Sequence, residues 1–264
     1  MIFLDKFDQK QLNGFTLVIP SVSVGNVGQL TIDLLISSLP TKKIGIVHHP
    51  AIHAMVGGDP YNPKSKEVTT SADLHLVQEH SLVILQIRSP LIKHEKQKFL
   101  EELVAWCKNT GIKDVVMLAS CNAYERWDSQ ISGTQLRYYI NVPESCEQML
   151  RSVGAAELEE RTDEFGKKHR FLSGAGFVQP FMDICELPVA TLIKFVDEGD
   201  NRGDAYALAT YLNAWKHLFK VKCLQMKPIH LGRPPFLGGT CTGVLNLSAF
   251  VDVSSTCLKQ VLEG

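Results

Sequence analysis

The sequence predicts an α/β fold built on a doubly wound, parallel sheet. Two observations support this prediction. Short runs with almost no charge, typical of strands buried on both faces, recur through the first 120 residues. Between these runs lie segments whose apolar side chains recur every three or four positions, as they do on the buried face of a helix.

The first predicted unit is a strand, a helix and a second strand. The strand covers residues 15–19, and the helical spacing of apolar residues places the helix at residues 27–39. Asn26 is predicted as the N-cap of this helix, with Gln29 completing a pair that resembles a capping box. The second strand covers residues 44–48, and the length of the whole unit is typical of a crossover between parallel strands.

A long loop interrupts the alternation before it resumes. Residues 50–73 are rich in Gly, Pro and polar side chains, which predicts a surface loop with room for one short helix. A strand is then predicted at residues 81–87 and a fourth strand at residues 115–119. The helix between them has its apolar face at residues 99–107 and ends at Gly111.

The second half of the chain is less regular. Between residues 120 and 186, a run at residues 171–177 predicts a strand that enters a tight turn at its glycines. Order returns with a strand at residues 189–196 and a helix at residues 203–219, capped by Asn201.

Composition limits the class of protein. The 264 residues carry 27 Lys and Arg against 28 Asp and Glu, and a net charge of −1 argues against nucleic-acid binding through a basic face. With 45% hydrophobic residues and no membrane-length apolar run, we expect a folded intracellular protein whose thiols are reduced. Cys107 and Cys121 are predicted to be buried and inert. One domain is predicted for residues 1–220, followed by an irregular tail at residues 221–264.

A glycine-containing turn is the first candidate site. Residues 23–28 read Ser-Val-Gly-Asn-Val-Gly between a strand and a helix, with Ser23 where a dinucleotide fingerprint has its first glycine. Backbone N–H groups at that helix start could hold a phosphate. The acidic residue expected about 20 positions later is missing, and Gly25 and Gly28 have a structural use in close helix–sheet packing. We favour the structural use and keep a nucleotide- or phosphometabolite-binding enzyme as the alternative.

An acidic turn is the second candidate. Residues 197–201 place three carboxylates after a predicted strand, where α/β enzymes hold metals or substrates. We favour a solvated turn in which Asp200 or Asn201 caps the next helix. The chain contains no P-loop, no zinc-ligand spacing and no nucleophile elbow. The residues therefore predict no catalytic site, no cofactor and no metal.

A set of short segments, spread in order over most of the chain, carries a family resemblance. They are residues 14–17, 20–30, 33–34, 43–45, 55–57, 59–61, 85–89, 99–106, 192–196, 198–201, 204–205 and 211–215. In sequence, order and spacing these segments resemble the proteasome assembly chaperone 2 family, from about residue 14 to residue 219.

The resemblance implies a three-layer α/β/α sandwich with a mostly parallel central sheet, and a non-catalytic chaperone without cofactors. It implies a heterodimer with assembly chaperone 1 that binds proteasome α-type subunits, promotes α-ring assembly and prevents off-pathway association of α-rings. It also implies a location in cytoplasm and nucleus, without nucleic-acid or membrane partners. The family-motif positions are candidate structural or partner-contact residues: Ser23, Gly25, Asn26, Val27, Gly28, Gln29, Met55, Tyr61, Arg88, Glu198, Gly199, Asp200 and Asn201.

Two segments leave alternatives open. Within the loop at residues 50–71, Met55, Val56 and Tyr61 are expected either to contact a partner or to close over the sheet as core. Chaperones of this kind dock through a C-terminal tail ending in hydrophobic–tyrosine–any residue, whereas this chain ends Gln-Val-Leu-Glu-Gly. Either docking is left to the partner's tail, or this ending reflects variant splicing or an imperfect gene model. We do not expect tail insertion by this chain.

Overall fold

One nine-stranded sheet with helices on both faces organises the computed structural model of the chain. The structure describes residues 2–4, 7–62, 64–141, 144–162 and 164–219. The predicted tail at residues 221–264 lies outside the described residues, so the proposed domain boundary stays a prediction. No helix in the described ranges is both long and apolar enough to cross a bilayer.

The elements follow in chain order. The strands are β1 (Ile2–Leu4), β2 (Thr16–Pro20), β3 (Lys42–Val47), β4 (Val56–Gly58), β5 (Val68–Thr70), β6 (Ala72–Val77), β7 (Leu82–Ile87), β8 (Asp114–Asn122), β9 (Leu136–Ile140), β10 (Ala156–Glu157), β11 (Glu160–Thr162), β12 (Lys168–Arg170) and β13 (Val189–Val196). The helices are α1 (Val27–Ser38), α2 (Lys96–Thr110), α3 (Asp128–Ile131), α4 (Glu144–Ser152), α5 (Val178–Ile184) and α6 (Arg202–Lys216).

The strand order of the sheet is β1-β3-β6-β7-β2-β8-β13-β9-β10. Its centre, β7-β2-β8-β13, is parallel, and antiparallel pairs join the flanking strands to that centre. The predicted α/β fold with a parallel central sheet is therefore confirmed. The predicted crossover needs one correction: β2 and β3 run in the same direction, but β6 and β7 lie between them.

Two apolar cores lie between the sheet and its helices, one on each face of the sheet. In β2, Leu17 and Ile19 pack on the face covered by α2 and α5, whereas Val18 packs on the face covered by α1 and α6. This alternation is the period-2 pattern of a strand buried on both sides. Helix α1 is buried along almost its whole length, because α6 lies against it and Thr31 Oγ1 donates to the Ala205 carbonyl at 3.2 Å.

The start of α1 differs from the predicted capping box. Asn26 lies at the N-cap position, but its backbone is left-handed, with φ of 54°. Its side chain makes no hydrogen bond to the backbone of the first turn; instead its Oδ1 accepts from Gln29 Nε2 at 3.3 Å. The prediction was wrong because a capping side chain needs an extended backbone to reach the first free N–H groups.

Three further predictions required correction. The described residues of the loop after β3 form the two-stranded ribbon β4–β5 and no helix, and the buried strand β6 begins at residue 72, where loop was predicted up to residue 73. Residues 171–177 form no strand; they are a turn, with left-handed φ at Gly174 and Gly176. Between residues 120 and 186 the chain builds α3, α4, α5 and β9 to β12.

The thiols in the middle of the chain match the prediction. Cys107 and Cys121 are both buried and free of disulfides. Burial raises the pKa of both thiols, that of Cys121 to about 12. Reactive thiolates are therefore not available at these two positions at neutral pH.

Candidate functional site

The carboxyl ends of the central parallel strands meet at one side of the sheet, which we call the carboxyl edge. The chain leaves β2, β3, β7, β8 and β13 at this side and enters β6 and β9 there. Open α/β sheets bind their ligands at this side. All the family-motif positions named above lie on segments that leave it, which makes it the place to look for function.

The turn that leaves β2 is fixed to β8 by two serines. Ser120 N–H donates to Ser23 Oγ at 3.0 Å, and Ser120 Oγ donates to the Val24 carbonyl at 2.5 Å. The two hydroxyls are 2.8 Å apart. Because the Ser120 proton is directed to Val24, Ser23 is the donor between them. Both serines are buried, so they hold the turn in place and are not exposed to a ligand.

The two glycines of this turn are required by close contacts. A Cβ on Gly28 would overlap with the carbonyl oxygen of Leu118 in β8. Gly25 has φ of 65°, and a Cβ there would overlap with the side chain of Asn201. The structure thus brings the Ser23–Gln29 and Glu198–Asn201 motifs together, and the geometry gives the glycines the packing role that we favoured.

A third segment, which was not predicted to take part, covers this turn. Val24 N–H donates to the Gly174 carbonyl at 2.8 Å. Ser21 Oγ donates to the Ala175 carbonyl at 2.6 Å and accepts from Phe177 N–H at 2.9 Å. The paired glycines at 174 and 176 were the only sequence signal for this contact, and they were interpreted as a tight turn that follows a strand.

These contacts argue against the nucleotide-binding alternative. A phosphate at a helix start needs N–H groups that point into open space, whereas the Val24 N–H is bonded to Gly174 and the Asn201 side chain lies against Gly25. Within the described ranges, no group of three or more His, Cys, Asp or Glu residues is placed to hold a metal.

The acidic turn behaves largely as the favoured interpretation expected. Asp200 accepts from Arg202 N–H at 3.2 Å and pairs with the Arg202 guanidinium at 2.5 Å. These hydrogen bonds from Arg202 lower the pKa of Asp200. Asn201 occupies the N-cap position of α6 but makes no capping hydrogen bond, while Glu198 and Gly199 are exposed.

A buried polar cluster, which we call the Asp33 network, lies where α1 meets the end of β7. Asp33 accepts from Gln86 Nε2 at 2.6 Å, and its two oxygens accept from Arg88 Nη2 and Nη1 at 3.0 and 3.3 Å. Tyr61 donates a short hydrogen bond to Asp33 and accepts from Arg88 Nη2 at 2.7 Å. The Asp33 carboxylate is thus satisfied by three side chains: Gln86 of β7, Arg88 directly after β7, and Tyr61 of the loop after β4.

The pKa values of both Arg88 and Tyr61 are raised within the Asp33 network. Burial acts to lower the pKa of Arg88, but Asp33 and Tyr61 outweigh it, so the pKa is raised. Burial, and then the Asp33 charge, raise the pKa of Tyr61 well above its usual value. Breaking a buried ion pair leaves a buried charge without compensation. The network therefore holds Tyr61, and with it the loop between β4 and β5, firmly against α1.

His75 of β6 packs against the same loop. Its ring meets the edge of the Tyr61 ring at 6.2 Å, and its side chain is buried. Burial lowers the pKa of His75 to about 4. The imidazole is therefore neutral in the folded protein at pH 7.

The loop at residues 50–71 splits between its two expected roles. Tyr61 closes on the core through the Asp33 network. In contrast, Met55, Val56 and Val68 expose 46, 77 and 51% of their surface on the β4–β5 ribbon. A two-stranded ribbon is marginally stable alone, so the anchored Tyr61 explains how these apolar side chains are held outward.

Comparison with known proteins identifies the family. The sequence model of the PAC2 family matches residues 17–216, which is more than half of the chain. The chain belongs to the PAC2 family. It is 38% identical to Proteasome assembly chaperone 2 of Xenopus tropicalis over 216 residues, covering 77% of this chain and 83% of the relative. It is 37% identical to Proteasome assembly chaperone 2 of Homo sapiens over 224 residues, covering 79 and 84%.

The solved structures show the same fold for this PAC2 family chain. Pyrococcus furiosus PbaA, described as an archaeal homolog of proteasome-assembly chaperone, superposes with a TM-score of 0.61 at 17% identity. The superposition covers 85% of this chain and 89% of PbaA. The resemblance that the short segments indicated is thereby confirmed. The curated relatives are named as assembly chaperones and not as enzymes, which agrees with the non-catalytic role that the resemblance implies.

Replacing Gly28 by Ala should destabilise the protein by about 1–3 kcal/mol, because the new methyl group forces α1 away from β8. Gly203→Ala is the matched control: Gly203 is also helical, and a Cβ there meets nothing within 4 Å. Its stability should be unchanged or slightly raised. Urea unfolding followed by circular dichroism measures both, and equal free energies of unfolding for the two variants would contradict the packing role of Gly28.

Tyr61→Phe should cost about 1–3 kcal/mol, since it removes a hydroxyl that both donates to Asp33 and accepts from Arg88. Amide hydrogen exchange at residues 53–70 should accelerate, because the loop loses its anchor. Tyr124→Phe, at an exposed tyrosine, should change stability by less than about 0.5 kcal/mol. Unchanged exchange in the loop of Tyr61→Phe would show that the network does not hold it.

The stabilising contribution of neutral His75 should be lost on acidification. It is complete above pH 6.5, the usual His pKa, and disappears as the pH falls towards about 4, because the unfolded chain binds the proton first. Between pH 6.5 and pH 4 this contribution to the unfolding free energy falls by about 3 kcal/mol. His75→Gln should therefore flatten the pH dependence of the unfolding free energy between pH 6.5 and 4. His53→Gln, at an exposed histidine, is the control, and an equal slope for wild type and His75→Gln would refute the assignment.

Proposed function

We propose that this protein is a proteasome assembly chaperone that forms a heterodimer with assembly chaperone 1. The heterodimer binds α-type subunits of the 20S proteasome, promotes assembly of the α-ring and prevents off-pathway association of α-rings. The observation that carries the proposal is the 37–38% identity, over more than three quarters of the chain, to relatives named Proteasome assembly chaperone 2. We place the protein in both cytoplasm and nucleus, as the family resemblance implies.

The geometry of the carboxyl edge supports a protein-binding role. The contacts of Ser23 with Ser120, of Val24 with Gly174 and of Gly25 with Asn201 fill the position where a small ligand would bind in other α/β folds. At the same edge, Val56 and Tyr124 expose about three quarters of their surface. A surface of this kind serves to contact other proteins, because exposed apolar patches are typical of protein–protein interaction sites.

The proposal is tested by co-expressing the tagged chain with untagged assembly chaperone 1 and with recombinant α-type proteasome subunits. We expect a stoichiometric complex of the two chaperones, because each covers apolar surface of the other. We also expect α-type subunits to be captured in the absence of β-type subunits. Affinity purification followed by mass spectrometry identifies the bound chains, and the same purification from cytoplasmic and nuclear fractions of cells should recover the protein from both.

The control is assembly chaperone 1 expressed without this chain, which should capture less α-type subunit than the pair. A chain that remains a solitary monomer with every α-type subunit present would refute the proposed function. Recovery from one cellular fraction alone would refute only the proposed location.

A further inference from the structure

Exposed apolar side chains lie at two places on the carboxyl edge. Met55 and, on the β4–β5 ribbon, Val56 and Val68 form the ribbon patch, next to the start of β6. Tyr124 and Ile131 form the second patch, on the connection that leaves β8 and enters β9. Each of these five side chains is exposed by 46% or more. Such patches mark a surface that contacts another protein.

Exposed charges on the same edge are separated by sign. The basic half lies over β3, β6 and β7; among the described residues of 48–71 and 88–95, the exposed Lys, Arg, Asp and Glu are Lys64, Lys66, Lys93 and, with the opposite sign, Glu67. The acidic half lies over β8, β13 and β9; among residues 123–135 and 197–201, the corresponding residues are Glu125, Asp128, Asp197, Glu198 and Asp200. Of these, Asp200 pairs with Arg202 at 2.5 Å.

Strand β2 separates the two halves. In the strand order β3-β6-β7-β2-β8-β13-β9, the basic half lies on one side of β2 and the acidic half on the other. The ribbon patch beside β6 and the end of the second patch at β9 are five strand spacings apart, roughly 24 Å at about 4.8 Å per spacing. A typical interface buries about 800 Å² on each side, which as a disc is about 32 Å across. One partner of ordinary interface size therefore covers both halves.

A partner that covers both halves must carry opposite charges at its two ends, each beside an apolar contact. Burying Lys93 or Glu198 without a compensating charge is costly, and placing like charges opposite each other adds repulsion. A partner of one sign therefore fits only half of the edge. The carboxyl edge of a second copy of this chain has the required pattern, because each of its apolar patches is accompanied by charges of one sign.

The edge is complementary to itself under twofold symmetry. A twofold axis that crosses the edge midway between the patches places the basic half of each copy on the acidic half of the other, and the ribbon patch on the second patch. Each contact then occurs twice, as in every isologous dimer. A twofold axis that runs along the edge would instead place like charges together. The charge pattern therefore selects one arrangement for two copies.

We propose that two copies of this chain associate through their carboxyl edges in this twofold arrangement. Lys66 and Lys93 of each copy lie on the side that faces Glu125 and Glu198 of the other. The proposal goes beyond the proposed function and does not depend on it, because neither assembly chaperone 1 nor a proteasome subunit takes part. Since the charges that meet are exposed ones, self-association weakens as the salt concentration rises.

The test measures the dissociation constant of the purified full chain by sedimentation velocity at low salt. We expect a monomer–dimer equilibrium with a dissociation constant below about 100 μM. Lys66→Glu with Lys93→Glu should weaken dimerisation at least tenfold, and so should Glu125→Lys with Glu198→Lys, because each double variant opposes like charges.

Mixing the two double variants separates a lost charge contact from a lost fold. In the mixed dimer, one contact keeps its native charges and the other has both signs reversed, so opposite charges meet at both contacts. An equimolar mixture, with one variant labelled, should therefore form a dimer with a dissociation constant within twofold of wild type. Variants that had failed to fold would not regain dimerisation in this way.

The apolar contact is tested with Val56→Asp in the ribbon patch, which should weaken dimerisation at least tenfold. Met149→Asp, at an exposed apolar residue of α4, is the matched control and should stay within twofold of wild type. A wild-type chain that remains monomeric at about 100 μM would overturn the proposal. Charge variants that dimerise like wild type, or that fail to pair when mixed, would overturn it too, and the edge would then belong to a different partner. None of these results bears on the proposed function, which is decided by capture of α-type subunits.

Discussion

The close approach of helix α1 to strand β8 is the constraint on which most of the structure depends. It exists because Gly28 has no side chain where the helix meets the Leu118 carbonyl. With α1 in this position, the turn before it must be tied down by Ser23 and Ser120, and Asn201 must cover Gly25. One missing methyl group thus determines how three loops pack at the carboxyl edge.

The parts of the fold that depend on local pattern could be predicted. The four central strands and helices α1, α2 and α6 were found close to their observed bounds, because continuous apolar runs and helical stripes are properties of single segments. Strand β6 was missed because Asp73 and His75 made it look like loop. Both are buried in the sheet, where Asp73 pairs with Lys43 at 2.9 Å. From the sequence alone, a charged residue that is buried beside a partner cannot be distinguished from one that is exposed to solvent.

The candidate site shows the same limit at longer range. Asp33, Tyr61 and Arg88 were each part of a short family motif, but nothing local indicated that they meet across more than 50 residues of chain. The crossover that skips two strands was equally invisible, because the length of a connection does not say which strands fill the gap. The sequence therefore identified most of the individual strands, helices and motif residues, whereas the tertiary structure was needed to show which of them are in contact.

The skipped crossover has a consequence for how the chain acquires its structure during synthesis. Strand β2 is flanked by β7 and β8, so neither of its neighbours exists until about 70 to 100 further residues have been made. Helix α1 stays uncovered for even longer, because α6, the helix that packs on it, consists of residues 202–216. The first third of the protein therefore cannot fold on its own before the rest of the chain has been synthesised. An apolar strand and an almost wholly buried helix must remain uncovered until late in translation, so the nascent chain is exposed to aggregation for most of its synthesis.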